Sequence, residues 1–346
     1  MEYQHGGDIY TYEGMLDFSA NINPLGPGSA AIEAAHGAVA RMTQYPDARC
    51  RRLRRVLSER LGIREDCFIF GNGGAELIFA LAMAERPKKA VLLAPSFLEY
   101  RQALLAADCE IVLFGLKESE GFKLGEEYLE YLTDEIDMIF LCSPSNPVGN
   151  VIEQELLLRI LARCKEKGIR MVMDESFCEF LDEWEAHTLL RQTAKYPELF
   201  VLRAFTKMYG MPGLRLGYGV CGDLELLKRL ERMRQPWSIS VVAQEAGEAA
   251  VRDTAHPART REYIRKEREW LLCRLDEIGI KYYTPEANYI FIRSEYDLYE
   301  ELKKRGILIR DCSNYDGLDK GYYRFAVKKR EENLRLAEEL RRICLR

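Results

Sequence analysis

The chain has 346 residues, 47% of them apolar, which is enough for a large core yet beyond the length at which single cores stop growing, so two lobes are expected. Charged residues make up 30%, both signs are interspersed and the formal net charge is −5, which excludes the basic field of a nucleic-acid binder and points to small-molecule partners. Ten scattered cysteines without a C-x-x-C pair speak against a zinc site or a disulfide scaffold, so no metal is expected and a reduced cytoplasm fits best. The opening "MEYQHGGDIY" has no basic-then-apolar targeting pattern, and no apolar run approaches the roughly 20 residues of a membrane helix.

In chain order, "LDFSANINPLGPG" is rich in Asn, Pro and Gly and reads as an ordered but irregular arm. From Cys67 to Cys221, short apolar runs ("CFIF", "KAVLLAP", "EIVLF", "DMIFLCSP", "RMVMDES", "LFVLRAF", "RLGYGVC") alternate with helical patterns such as "AELIFALAMAE" and "EQELLLRILARCKEKG". Continuous apolar strands separated by amphipathic helices predict an α/β fold with a mostly parallel central sheet covered on both faces, although any single run also reads as a buried helix segment. After "RQPWSIS" come long helices, "HPARTREYIRKEREWLLCRLDEIG" among them. The strands "NYIFIR", "GILIR" and "YYRFAV" and a helix from Glu331 follow. The expected division is a large domain over 44–250, with the arm 1–43 and a small α+β domain 251–346.

In such a sheet, ligands sit beyond the carboxyl ends of the strands. After "CFIF" comes "GNGGAE", after "AVLLAP" Ser96-Phe97, after "MIFLC" "SPSNPVG", after "RMVM" Asp174-Glu175, and after "LFVLRAF" Thr206-Lys207. Gly73 and Gly74 open a helix whose free N–H groups suit a phosphate, and Arg215 offers a fixed positive charge nearby. Each signal has a plain structural reading: a tight turn, a surface ion pair, a helix cap for Asp174, a solvated lysine for Lys207. A lysine desolvated at a strand end is also a nucleophile for a carbonyl.

Taken in order, Gly73-Gly74, Phe97, Asn146-Pro147, Asp174, Thr206-Lys207 and Arg215 resemble the fold type I enzymes that depend on pyridoxal 5'-phosphate, the aspartate aminotransferase superfamily. That resemblance implies the fold type I architecture, with Lys207 carrying the cofactor, Asp174 pairing with the ring nitrogen, Asn146 donating to the ring O3′ and Phe97 stacking on its face. It further implies that N–H groups of Gly74 and Ala75, beside Gly73, hold the cofactor phosphate together with Thr206 and Arg215. Tyr45 in "QYPDA" would reach the phosphate of a neighbouring subunit, which implies a homodimer with shared active sites. Ala204 stands where relatives carry a hydroxyl, so one phosphate contact is expected to be absent.

Two sister families fit this pattern, histidinol-phosphate aminotransferase and the threonine-phosphate decarboxylase that supplies the aminopropanol arm of cobalamin. "HGGDIY", "GNGGAELIF", "FLEY", "DESF", "TKMYGMPGLRLGY" and "ILIRDCSNYDGLD" resemble the decarboxylase, and Phe177 replaces a tyrosine usual in the aminotransferase. The resemblance implies that a phosphorylated amino acid is held by His5, Asn21 and Arg310, with Arg324 as a second anion anchor. A non-catalytic ligand-binding protein on the same fold is the remote alternative.

Overall fold

The computed structural model describes residues 5–345. β1 (Leu16–Asp17) is followed by the irregular arm, ordered as expected, with Phe18, Ser19, Asn21 and Asn23 buried. The apolar runs become β2 (Phe68–Gly71), β3 (Lys89–Ala94), β4 (Glu110–Gly115), β5 (Met138–Cys142), β6 (Arg170–Asp174), β7 (Leu199–Ala204) and β8 (Gly217–Cys221). Among the described residues these form one seven-stranded sheet in the order β2-β8-β7-β6-β5-β3-β4.

Successive side chains of one strand enter opposite cores. Ile139 and Leu141 of β5 pack with Met171, Met173 and the helix Gln154–Lys167. Met138 and Phe140 pack on the other face with Leu77, Leu104 and Leu230, from the helices Gly74–Glu85, Leu98–Ala106 and Leu224–Met233. Each fully buried Leu or Phe contributes about 1.5–3 kcal/mol, so coverage of both faces is what the continuous apolar runs encode. β4 departs from that expectation: among the described residues it pairs only with β3, and along it only Phe114 is buried.

Two features of the topology place the site. β3 pairs with β4 on one side and β5 on the other, so the chain reverses its direction of travel there and leaves a crevice at the strand ends. β8 runs antiparallel to both its neighbours, β7 and β2, against the parallel pairing elsewhere. An antiparallel return needs no crossover. The loop 205–216 therefore stays at one end of the sheet, with Phe205 N–H bonded to Leu216 O, and keeps Lys207 and Arg215 together there.

The second half carries β9 (Lys281–Tyr283), β10 (Tyr289–Arg293), β11 (Ile307–Leu308), β12 (Arg310–Asp311) and β13 (Tyr322–Ala326). β12-β13-β10-β9 form an antiparallel sheet, while β11 pairs parallel with β1. The expected single strand "GILIR" is thus divided at Ile309, because its first half binds the arm and its second half binds β13. The long helix spans Ala255–Ile278 and the last one Arg330–Cys344, one residue earlier than read. Glu118, beside the large sheet, accepts hydrogen bonds from Lys281, Tyr283, Arg293 and Tyr322 of the small one.

Candidate active site

A cavity of about 330 Å³ opens at the strand ends beside the β3–β5 crevice. Its wall includes Gly74, Ala75, Phe97, Asn146, Asp174, Ala204, Thr206, Lys207, Arg215, Arg310, Arg324, Asn21 and His5. A hollow of about 450 Å³ adjoins it through His5, Gly6, Ser19 and Arg310, with Tyr10, Tyr12 and Tyr299 on its far wall.

At one end, Gly73 caps the helix Gly74–Glu85 with φ of 81°, and a Cβ there would stand 2.4 Å from Arg215 Nη2. The positive φ favours glycine there, and the Arg215 guanidinium occupies the space that a side chain would take. Arg215 is itself left-handed at φ 57°, a conformation costing about 1–3 kcal/mol, and Nη1 donates to Pro212 O at 3.1 Å. The first N–H groups of the helix lack intrahelical acceptors, so strained arginine and helix start together form an anion cradle. Gly217 lets β8 pass within 2.6 Å, measured from its ideal Cβ position, of Gly74 N. Ala204 offers no hydroxyl to the cradle.

Deeper in, Asp174 ends β6 and is buried. Its Oδ1 accepts from Ser176 N–H at 2.9 Å and its Oδ2 from the Tyr100 hydroxyl at 2.6 Å. Tyr100 stacks on Phe140 at 4.9 Å and meets Phe97 edge-on at 5.5 Å, so one buried ring steadies both the carboxylate and the aromatic wall.

The Lys207 amine lies 5.5 Å from the centre of the Phe177 ring. Burial first, then the neighbouring Arg324, push its pKa down to about 8, so roughly a tenth is free base at pH 7, far more than for an ordinary lysine. Its backbone is pinned: Lys207 O accepts from Asn23 N–H at 3.2 Å, while Asn23 Nδ2 donates to Met208 O at 2.8 Å and Thr260 Oγ1 at 2.9 Å.

At the other end, Arg310 and Arg324 are direct cross-strand partners, 4% and 6% exposed. Arg310 donates to Asp311 O at 2.5 Å and Asn314 Oδ1 at 2.7 Å, and Arg324 to Asn146 Oδ1 and, at 2.9 Å, Ser19 O. Neither forms an ion pair with a carboxylate among the described residues. Like charges directly opposite repel, so the pair calls for an anion. Asn21 Oδ1 and Arg324 Nε are buried without hydrogen-bond partners among the described residues. His5 Nδ1 lies 3.6 Å from Glu99 Oε1.

The donor set fits pyridoxal 5'-phosphate: an anion cradle, a buried acid, an aromatic wall and a partly deprotonated amine, while the Asn146 amide oxygen accepts from Arg324 and its N–H groups have no partner among the described residues. The structure thus gathers the expected residues in one place, except Tyr45. That side chain is 81% exposed and stacks on Trp237 at 4.6 Å, away from the cavity of this chain. Sequence reading missed Glu99, Tyr100 and Tyr315, the first two in "FLEY" immediately after Phe97. No cluster of metal-ligating residues occurs among the described residues.

The family described as Aminotransferase class I and II matches residues 13–340. The chain is 37% identical over 353 residues to a threonine-phosphate decarboxylase of Salmonella typhimurium, covering 98% of this chain and 96% of that one. It is 32% identical to a histidinol-phosphate aminotransferase of Archaeoglobus fulgidus, over 95% and 93% of the two chains. The crystal structure of the histidinol-phosphate aminotransferase from Clostridium acetobutylicum superposes with a TM-score of 0.89 at 30% identity, over 95% of this chain and 99% of that one. With a cavity at the sheet's reversal and a matching length of 328 positions (340 − 13 + 1), the chain belongs to the aminotransferase class I and II family.

Proposed function

We propose that the protein is a pyridoxal-phosphate-dependent carboxy-lyase that converts L-threonine O-3-phosphate to (R)-1-amino-2-propanol O-2-phosphate and CO₂, a step serving cobalamin assembly. The observation that carries it is the buried Arg310–Arg324 pair, two cations that form no ion pair with a carboxylate among the described residues, which suits a small substrate bearing two anionic groups. The likeness to the Salmonella decarboxylase, over nearly the whole of both chains, names the substrate.

When bound, the cofactor supplies an electron sink for the Cα bond that stands upright on its ring. The chain's own residues decide which bond that is. Lys207 holds the cofactor and, as a free amine, moves a proton at Cα. Asp174, held by Tyr100, would keep the ring nitrogen protonated, Asn146 would donate to O3′, Phe97 would cover the ring, and Gly74, Ala75, Thr206 and Arg215 would hold the cofactor phosphate. His5, Asn21 and Arg310 grip the substrate phosphate and Arg324 its carboxylate, turning the carboxylate upright. Phe177 places an apolar ring beside the Lys207 amine, with no hydroxyl there to serve O3′. Tyr45, exposed with Trp237, serves the neighbouring subunit of a homodimer. No described helix is long and apolar enough to cross a membrane.

Incubating the holoenzyme with L-threonine O-3-phosphate should release CO₂ and the phosphorylated amine in equal amounts. Amino transfer from histidinol phosphate to a 2-oxo acid, without CO₂ release from threonine phosphate, would reverse the assignment in favour of the sister activity.

A further inference from the structure

Two carboxylates line the cavity. Asp174 is held by Tyr100 and Ser176, whereas Glu99 has no part in the chemistry above. Glu99 projects from the first turn of the helix Leu98–Ala106, two residues past Phe97. Its Oε1 is 3.6 Å from His5 Nδ1, and its Oε2 is buried without a hydrogen-bond partner among the described residues. Lys207, Arg310 and His5 face it as cations or potential cations, Asp174 as an anion, and Tyr315 lies close by. Burial raises the Glu99 carboxyl to about 7 against the opposing pull of Lys207 and Arg310. Burial and then Arg310 depress the His5 imidazole.

An ionised carboxylate beside His5 and Arg310 would repel a phosphate dianion placed there. One proton reverses this, because a neutral carboxyl or an imidazolium donates a hydrogen bond to a phosphate oxygen. We propose that Glu99 is a specificity-determining residue of the phosphate subsite, and that the Glu99–His5 pair takes up one proton from solvent as the substrate's phosphate dianion docks. This rests on the decarboxylase reading for the substrate's identity.

Binding that raises the proton affinity of the pair is complete below the free value and weakens as pH rises above it. From a free value of about 7, KM for L-threonine O-3-phosphate should rise about 50-fold between pH 7 and pH 9. The substrate phosphate, with its second ionisation near pH 6, is already dianionic across that window.

The test is calorimetry on holoenzyme with (R)-1-amino-2-propanol O-2-phosphate at pH 8, in two buffers of different ionisation enthalpy, for wild type and Glu99→Gln. Wild type should take up close to one proton and the variant, with its cofactor absorbance intact, about none. The pH dependence of KM should flatten in parallel. Absence of uptake by wild type, or equal uptake by Glu99→Gln, overturns the proposal. Failure of the wild type to release CO₂ from threonine phosphate overturns the substrate reading instead, and proton uptake on binding the phosphorylated amine still decides the role of Glu99.

Discussion

Gly217→Ala probes the cradle without touching a charged group. The added Cβ would lie 2.6 Å from Gly74 N and 2.8 Å from Gly73 C, both backbone atoms that cannot swing aside. Relief requires β8 and the start of the helix Gly74–Glu85 to part, and overpacking of this kind costs about 1–3 kcal/mol. Because the displaced atoms are the N–H groups meant for the cofactor phosphate, much of that cost should fall on binding, weakening it about 5- to 150-fold. Titrating apoenzyme with pyridoxal phosphate by absorbance measures the Kd, and melting the apoprotein measures what falls on the fold. Gly115→Ala, where an added Cβ meets nothing within 4 Å, is the control and should change neither. A Kd within twofold of wild type for Gly217→Ala, with an unshifted melt, would refute the close-approach argument.

Tyr100→Phe removes the 2.6 Å donor to Asp174. Hydrogen bonds to charged groups contribute about 1.5–3 kcal/mol, so steady-state kinetics should show kcat lower by about tenfold or more with KM little changed, and an unaltered kcat contradicts the role given to Tyr100. With Lys207 at about 8, the rate at which apoenzyme captures pyridoxal phosphate should climb with pH and level off above that value. Arg324→Gln removes a depressing cation and should move the midpoint upward, which stopped-flow absorbance reads; a wild-type midpoint near 10 would contradict the burial argument. Hydrogen bonds from Lys281 first, then Tyr283 and Arg293, hold the Glu118 carboxyl below the usual range, so its stabilisation is present above the unfolded value near 4.3 and is lost as pH falls through the lower folded value. Glu118→Gln should therefore lower Tm at neutral pH by an amount that shrinks below about pH 4.5; a constant deficit would argue against the charge.

Much of the site was legible because a parallel sheet gathers strand ends. Phe97, Asn146, Asp174 and Lys207 each follow an apolar run, and each lines the cavity. Glu99 and Tyr100 escaped because they sit within "LEYRQALLAA", where helical periodicity marks a buried face without telling whether that face meets core or cavity. The opposition of Arg310 and Arg324 was also hidden, since register between β12 and β13 depends on Ile309 freeing Arg310 from the β1 pairing, which no local pattern encodes. Nor did composition tell that β8 runs backwards, the feature that keeps Arg215 near Lys207.

Asn23 reaches Met208, 185 positions later, and Thr260, 237 positions later. While the polypeptide is still emerging from the ribosome, the loop bearing Lys207 lacks this anchor until residue 260 is free, and the arginine pair waits for residue 324. At roughly 5–20 residues per second, tens of seconds of synthesis pass before every piece exists. Chains that end before residue 260 should therefore hold pyridoxal phosphate more weakly than the full chain, because the loop bearing Lys207 lacks its anchor.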